Sequence, residues 1–373
     1  MPEVAQNSFR HKAFVAPYPT RGMGANRRKD ERLLEMFKYI VKRILMLIPV
    51  LLGVSIIVFL IMRVFSPDPA PIVLGQHATI EDTEAWREAN GLNDPIYIQY
   101  FNYIKGALTG DLGNSYYTKT PVTQEIFSRF PATVELAVAA IIFASIFGIL
   151  IGAVSAVKKN SIFDNAGMVL ALIGVSMPIF WLGILLIILF AGVLHVLPSG
   201  TRIDPLLQPM GGTGFYIIDT IMIGDWEALG NALQHLILPA LALGMYSMAI
   251  ITRMTRSSML ETLNQDYIRT ARAKGISERK VITHHALRNA MIPVTTVIGL
   301  QLGSLLGGAV LTETVFSWPG IGNYTVQCIL KSDFPVVQGV VLLIACIFVL
   351  INLVVDIIYA FIDPRIKYSK KEG

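Results

Sequence analysis

Six apolar runs, nearly free of charge, constrain this chain more than any other feature. They lie at about 44–64, 133–157, 166–194, 235–254, 290–312 and 336–362. Each approaches or exceeds the roughly 20 residues a helix needs to cross a bilayer. A segment in lipid must satisfy its own backbone donors and acceptors, so each run is expected as a helix. Of 373 residues, 53% are hydrophobic and only 15% charged, where a soluble domain carries about a quarter charged. The expected fold class is an all-α integral membrane protein with six transmembrane helices. The first run follows a long polar stretch and is too long for the core of a cleavable signal, so it reads as the first span.

Basic residues set the orientation. Segments 1–43, 157–165, 253–290 and 363–373 hold 10, 2, 8 and 4 Lys and Arg, whereas 66–131, 195–234 and 313–336 hold 4, 1 and 1. The excess places the first group, with both termini, in the cytoplasm. A formal net charge of +5 is small and scattered, which argues against a nucleic-acid partner. Cys328 and Cys346 have no spacing that suggests a metal site or a disulfide framework, so both are expected as unpaired structural thiols and no metal is expected.

The chain divides into a polar extension, 1–35, expected to be disordered, and a single transmembrane domain, 36–373. The extension carries the basic cluster Arg27, Arg28 and Lys29. Within the domain an outer lobe spans 66–131 and a core about 131–363. In the lobe, Ile96, Tyr100, Ile104 and Leu108 share a helical face with Phe101 beside them, after a start signal at Asp94-Pro95. That pattern fits a helix on the membrane surface or against the outer mouth. Segment 195–234 opens rich in Pro and Gly and is expected as an irregular outer loop.

Small residues recur at Ala144, Gly148, Gly152 and Ala156, and again at Gly299, Gly303 and Gly307. Such ridges let helices approach closely, within the chain or against a second subunit. Polar groups inside spans are costly and so mark candidate sites. Ser176 beside Pro178, Tyr246 with Ser247, Gln301 with Ser304, and Thr312 with Glu313 are the candidates for a solute path or gate, with Trp318 close by. Glu313 can meet a substrate ammonium, hold a gate, or be a plain interfacial carboxylate. Asn352 and Asp356, four apart on one face, read as a structural tie near the inner end of the last span.

Segment 253–290 is the one sizeable inner loop, and it has a pattern. Asp266 can cap a helix through Lys274. Gly275 then stands where a helix end needs positive φ. Ser277 can cap a second helix with Glu278 in its first turn. The result is a helix–Gly–helix elbow on the cytoplasmic side. Thr270, Ala271 and Ala273 are small enough for close seating of a partner, and Arg269, Arg272, Lys274, Arg279 and Lys280 suit an acidic rim. There is no G-x-x-x-x-G-K-[ST], no G-x-S-x-G and no H-E-x-x-H, so no catalytic residues and no nucleotide site are expected on this chain.

The stretch Tyr267-Ile268-Arg269-Thr270-Ala271-Arg272-Ala273-Lys274-Gly275 resembles the EAA loop of ABC-transporter permeases. Ala271, Gly275 and Leu287 match its pattern. Arg269 stands for the usual Glu, Thr270 for Ala, His285 for Ile and Arg288 for Pro, departures shared with the dipeptide and oligopeptide branch. The resemblance runs from Met36 to about Lys367. It includes Lys42-Arg43-Ile44 with Pro49, Gly110-Asp111-Leu112-Gly113, Ser176-Met177-Pro178, Arg253–Met259 and the long, specific Thr312–Gly322 stretch.

That resemblance implies a type I importer permease with the elbow as coupling helix to an ATPase, carried by Arg269, Thr270, Ala271, Arg272, Gly275, Ser277 and Leu287. It also implies a second, homologous permease subunit, two cytoplasmic ATP-binding subunits that hold ATP and Mg, an extracytoplasmic peptide-binding protein, and an inner-membrane location. Nickel, glutathione and antimicrobial-peptide permeases belong to the same family and stay open as alternatives. An ion-gradient-driven secondary transporter is the rival from outside it, and it would show more carboxylates at mid-span. A non-transporting scaffold is the other rival, and it would need no structured elbow.

Overall fold

The computed structural model describes residues 45–46, 48–75 and 77–362, with side chains described except at 308, 352 and 355–362. Two compact units divide at Ile48 and Pro49. Of the first, only Leu45, Met46 and Ile48 are described, all helical and exposed. The extension 1–35 and its basic cluster lie outside the described residues, as do both chain ends and the side chains of Asn352 and Asp356.

Helices build the second unit, the first of them beginning at Ile48, the last residue of the first unit. In chain order they are α1 (Ile48–Val64), α2 (Pro69–Leu74), α3 (Ile80–Ala89), α4 (Ile96–Thr109), α5 (Val122–Val157), α6 (Ile162–Ser176), α7 (Ile179–Leu186), α8 (Tyr216–Ile223), α9 (Trp226–Leu263) and α10 (Asp266–Ala273). There follow α11 (Glu278–Gly307), α12 (Val310–Val315), α13 (Ile321–Leu330) and α14 (Phe334–Ile362). Among the described residues the six expected spans are largely helical: four helices are long and apolar enough to cross a membrane, the bent pair in the third span makes a fifth, and α1 is a shorter apolar helix over its described residues. No β-ladder occurs among the described residues, which hold only the isolated bridge between Asn114 and Pro121.

Two spans outrun their apolar runs. α5 has 36 residues and α9 has 38, or more than about 50 Å at 1.5 Å per residue, so each projects past the hydrocarbon. The third expected span is not one straight helix. It breaks at Met177-Pro178, and Ile162–Ser176 and Ile179–Val193 meet at 107°. Pro178 brings no N–H to the ladder and disfavours helical backbone at the residue before it; Met177 accordingly has ψ 132. A π-helical turn, Ile187–Val193, closes the second arm. The outer segment 195–234 is irregular only in its first part, because it also contains α8 and the start of α9.

The lobe helices start and stop on local chemistry. Asp68 caps α2 by accepting from the Ala70 N–H (3.0 Å). Thr79 and Asp82 form a reciprocal capping box on α3. Pro95 opens α4, and Gly110, at φ 82, closes it. The face of α4 that packs is Tyr100, Tyr103, Ile104 and Ala107; Ile96, Phe101 and Leu108 of the expected stripe are exposed.

The core sits between α5 and α9. Ala140, Ala144, Gly148 and Gly152 of α5 face Gly244, Met248, Ile251, Thr252 and Thr255 of α9. A Cβ on Gly152 would lie 2.6 Å from the Thr252 carbonyl oxygen, and one on Gly244 would lie 2.8 Å from that of Ala140. The small-residue ridge of span two therefore packs within the chain. In the second ridge, a Cβ on Gly307 would stand 3.7 Å from Ile344 Cγ2 of α14, an ordinary contact.

Candidate functional site

The elbow is α10 followed by the first turns of α11. Gly275 has φ 74, as the sequence requires, and its N–H donates to the Arg272 carbonyl (2.9 Å). Only glycine takes this conformation without a Cβ penalty. Two capping expectations are corrected. The N-cap of α10 is Gln265, so Asp266 is already inside the first turn, where its carboxylate stands 3.5 Å from Arg269. Ser277 holds the N-cap position of the second helix, but its hydroxyl makes no cap bond. Its carbonyl does that work, accepting from the N–H groups of Lys280 (2.9 Å) and Val281 (3.0 Å).

The brace across the bend is Arg272 with Glu278. The guanidinium donates from Nε (3.1 Å) and Nη2 (2.7 Å) to the two carboxylate oxygens. That bond raises the Arg272 pKa above its ordinary value. The pair is exposed, so it adds only about 0.2–1 kcal/mol; its use is geometric, because a bidentate pair fixes one helix against the other. Beneath it, Ile268, Ala271, Val281, Ala286 and Ala290 are buried against Ala156 and Met259, with Leu287 packed at the edge. Ala271 therefore faces the bundle and is not free to seat a partner. Thr270, Ala273, Arg269, Lys274, Arg279 and Lys280 are exposed. The elbow thus has one face in the apolar core and one basic face in solvent.

The Thr312–Gly322 stretch forms a buried clamp on the other side. Glu313, fully buried, accepts from the Thr133 hydroxyl (2.7 Å) and from the Asn323 N–H (2.9 Å). Thr133 Oγ1 in turn accepts from the Ile321 N–H (2.9 Å). Gly320 is the N-cap of α13 and has no side chain to offer, so Glu313 and Thr133 satisfy its first-turn donors from elsewhere. A Cβ on Gly320 would overlap the Glu313 carboxylate, and one on Gly322 would lie 2.9 Å from it. Trp318 Nε1 donates to the Ala132 carbonyl (2.8 Å) in the core. In this structure Glu313 and Trp318 are packed anchors, not surface groups.

The remaining path candidates are partly gathered. Ser176 is exposed at the α6–α7 break, and the end of α6 meets α9 where a Cβ on Gly174 would stand 3.0 Å from the Met245 carbonyl, next to exposed Tyr246. Gln301 Oε1 accepts from the buried Ser247 hydroxyl (3.0 Å). Ser304, one turn on, is exposed.

Three buried carboxylates in outer or inner ties escaped the sequence reading. Glu135 takes Arg202 through Nε (2.9 Å) and Nη2 (2.6 Å) and also accepts from the Ile217 N–H (3.0 Å). Asp164 takes Arg256 (2.7 and 2.8 Å), joining α6 to α9. Asp333 accepts from the Ser115 hydroxyl (2.6 Å) and the Tyr116 N–H (3.0 Å), and burial pushes its carboxyl up despite them. The available signal was a single charge in an uncharged stretch: Glu135 near the start of span two, and Arg202 as the one basic residue in 195–234. Among the described residues no cluster of three or more His, Cys, Asp or Glu could hold a metal.

Comparison with known proteins shows the family. Residues 148–368 match the family model described as the binding-protein-dependent transport system inner membrane component, and 36–137 match its N-terminal companion. A dipeptide transport system permease protein, DppB, of Alkalihalophilus pseudofirmus is 51% identical over 89% of this chain and 100% of its own length. The chain belongs to this family. It is thus a multi-pass integral membrane permease, similar to transport proteins and not to enzymes. DppB of Escherichia coli K12 is 46% identical over 90% of the chain and all of its own length. A glutathione transport system permease protein, GsiC, of Escherichia coli O6:H1 is 42% identical over the same shares. The two family matches together cover residues 36–137 and 148–368.

Proposed function

We propose that this permease forms half of the translocation pathway of an ATP-driven importer for dipeptides or short peptides in the inner membrane. A second, homologous permease supplies the other half. Two cytoplasmic subunits bind ATP and Mg, and a binding protein delivers peptide from outside. The observation that carries the reading is the elbow: a braced, glycine-turned bend, apolar on its inner side and basic on its outer side, in a sequence without the G-x-x-x-x-G-K-[ST] pattern. A rigid bend seated on the bundle can pass a partner's movement to α9 and α11, which it joins, and so switch the bundle between two packings. Arg269, Thr270 and Gly275 meet the ATPase; Ala271, Arg272, Ser277 and Leu287 hold the bend in shape. Ser176, Tyr246, Gln301 and Ser304 line the path. Glu313 and Trp318 set the position of the gate from inside the fold.

Peptide, more than glutathione or nickel, is favoured by the dipeptide names of the relatives at 51% and 46% identity. The test is reconstitution of the permease pair with its ATPases and binding protein in vesicles. Uptake of a labelled dipeptide should require ATP and the binding protein. Uptake by this chain alone on an ion gradient would sink the proposal, and ATP-dependent uptake of glutathione in place of dipeptide would change the substrate.

A further inference from the structure

Helix α4 has three sectors, and only two are explained by folding. Tyr100, Tyr103, Ile104 and Ala107 pack inward. Asn102, Lys105 and Thr109 make an exposed polar sector. Between them lies an exposed apolar stripe, Tyr97, Phe101 and Leu108, at 73%, 66% and 83% exposure. The spacing i, i+4, i+11 keeps these three on one side of a helix. No acidic residue lies in its first turn, and Lys105 borders the stripe.

The depth of α4 follows from its contacts with α1. The Tyr100 hydroxyl is 2.9 Å from Ser55 Oγ. The Phe59 ring meets Tyr100 edge-on at 5.3 Å and stacks with Tyr103 at 6.1 Å. Ser55 is nine residues before Val64, the outer end of α1, and Phe59 is five before it. At 1.5 Å per residue these are about 13 and 8 Å inside that end. A helix reaching those positions with tyrosine side chains lies beside the outer turns of α1, within the depth of about 5–10 Å at which interfacial helices rest. The exposed face of α1 is itself apolar there, with Ile56, Ile57, Leu60 and Ile61. An exposed apolar stripe on α4, packed beside a span whose own exposed residues are apolar, is the pattern of a surface turned to lipid.

We propose that α4 is an interfacial helix embedded in the outer leaflet, with Tyr97, Phe101 and Leu108 against acyl chains and Lys105 extending to the headgroups. An aromatic pair at this level suits the boundary between hydrocarbon and headgroups, and a lysine beside an apolar stripe can bury its stem and keep its charge in water. The lobe is then not a free outer domain. It is tied to the bilayer at two places, by α1 and by α4, which fixes the height of the outer mouth.

The experiment is spin labelling of the assembled transporter in vesicles, with single cysteines at Tyr97, Phe101, Leu108 and Asn102 introduced into a Cys328→Ala, Cys346→Ala background that transports normally. Collision of the label with oxygen, which concentrates in lipid, is compared with collision with a water-soluble nickel chelate. Labels at 97, 101 and 108 should favour oxygen by several-fold, and the label at 102 should favour nickel. Nickel access at 101 equal to that at 102 would place α4 in water. Labels at 97, 101 and 108 shielded from both reagents would mean a protein partner covers the stripe. Either result overturns the proposal.

Discussion

Glu313 has its two carboxylate oxygens occupied by groups from α5 and α13, so its removal orphans two buried or half-buried donors at once. Glu313→Ala should destabilise the permease by about 2–6 kcal/mol, since each of the two unsatisfied groups costs about 1–3 kcal/mol. Glu313→Gln, which keeps the volume and one acceptor, should cost about half as much. Thermal unfolding in detergent measures both, and near-wild-type stability of the alanine variant would remove the clamp from the account. Cys328 gives a second residue-level expectation. Burial first, and the Asp333 charge second, push its thiol up to about 11. At pH 8 roughly one thiol in a thousand is then thiolate, the reactive form. Maleimide labelling of Cys328 in the folded permease, followed by mass spectrometry, should be slow and should quicken steeply on denaturation or above pH 10. Prompt labelling at pH 8 would show that α13 opens. Glu313 and Trp318 stood out in the sequence as polar or large groups in a specific motif. Their partners Thr133 and Ala132 did not, because they are 180 and 186 residues away and nothing local marks a threonine as a remote helix cap.

The elbow is legible as an element because its determinants are local. Gly275 at a helix end, a bidentate partner six residues apart and alternating burial all lie within a few turns. What the sequence misjudged there is rotation. Asp266 reads equally well as a cap or as a first-turn residue, and only the packing of Ile268 and Ala271 fixes which side faces the bundle. Two outcomes follow for the bend. Gly275→Val forces a β-branched residue to φ 74, at about 1–2 kcal/mol or more, and should lower peptide-stimulated ATP hydrolysis by several-fold while the subunits still co-purify. Full stimulation would detach the bend from coupling. Arg272→Glu alone and Glu278→Arg alone should each weaken coupling through like-charge contact, and the double exchange should restore most of it, because the pair's geometry matters more than its small energy. Failure of the exchange to restore coupling would show that Arg272 acts on a partner instead of on the brace. The break at Met177-Pro178 had a visible cause, Pro178, yet the sequence reading ran the span through it. Hydropathy averages over a window and is blind to direction, so 107° of bend leaves no trace in it.

At the scale of the molecule, the six apolar runs and the small-residue ridge specify a bundle, but the ridge did not say against what it packs. The structure answers through backbone proximity: α5 and α9 cross where Gly148, Gly152 and Gly244 permit it, and Thr252 and Thr255 bury hydroxyls there with no hydrogen-bond partner. Dispersion across a close crossing, in place of any hydrophobic gain, must hold such a pair in lipid. One added methyl group is then a sensitive probe. A Cβ at Gly152 would lie 2.6 Å from a backbone oxygen and 2.7 Å from Thr255 Cβ; neither atom can swing aside as a flexible side chain would. Gly152→Ala should force the helices apart and cost about 1–3 kcal/mol, the usual price of overpacking. Gly307→Ala, whose Cβ would meet only Ile344 Cγ2 at 3.7 Å, should be near neutral and serves as the control. Because α9 carries the elbow at its inner end, Gly152→Ala should also blunt ATP-driven uptake beyond its effect on expression. The measurement is the unfolding midpoint of both variants beside uptake per assembled transporter. Equal stability of the two variants would mean the ridge in span two is not the seam that holds the bundle, and the intrachain packing derived for it would have to give way to an interface with another subunit.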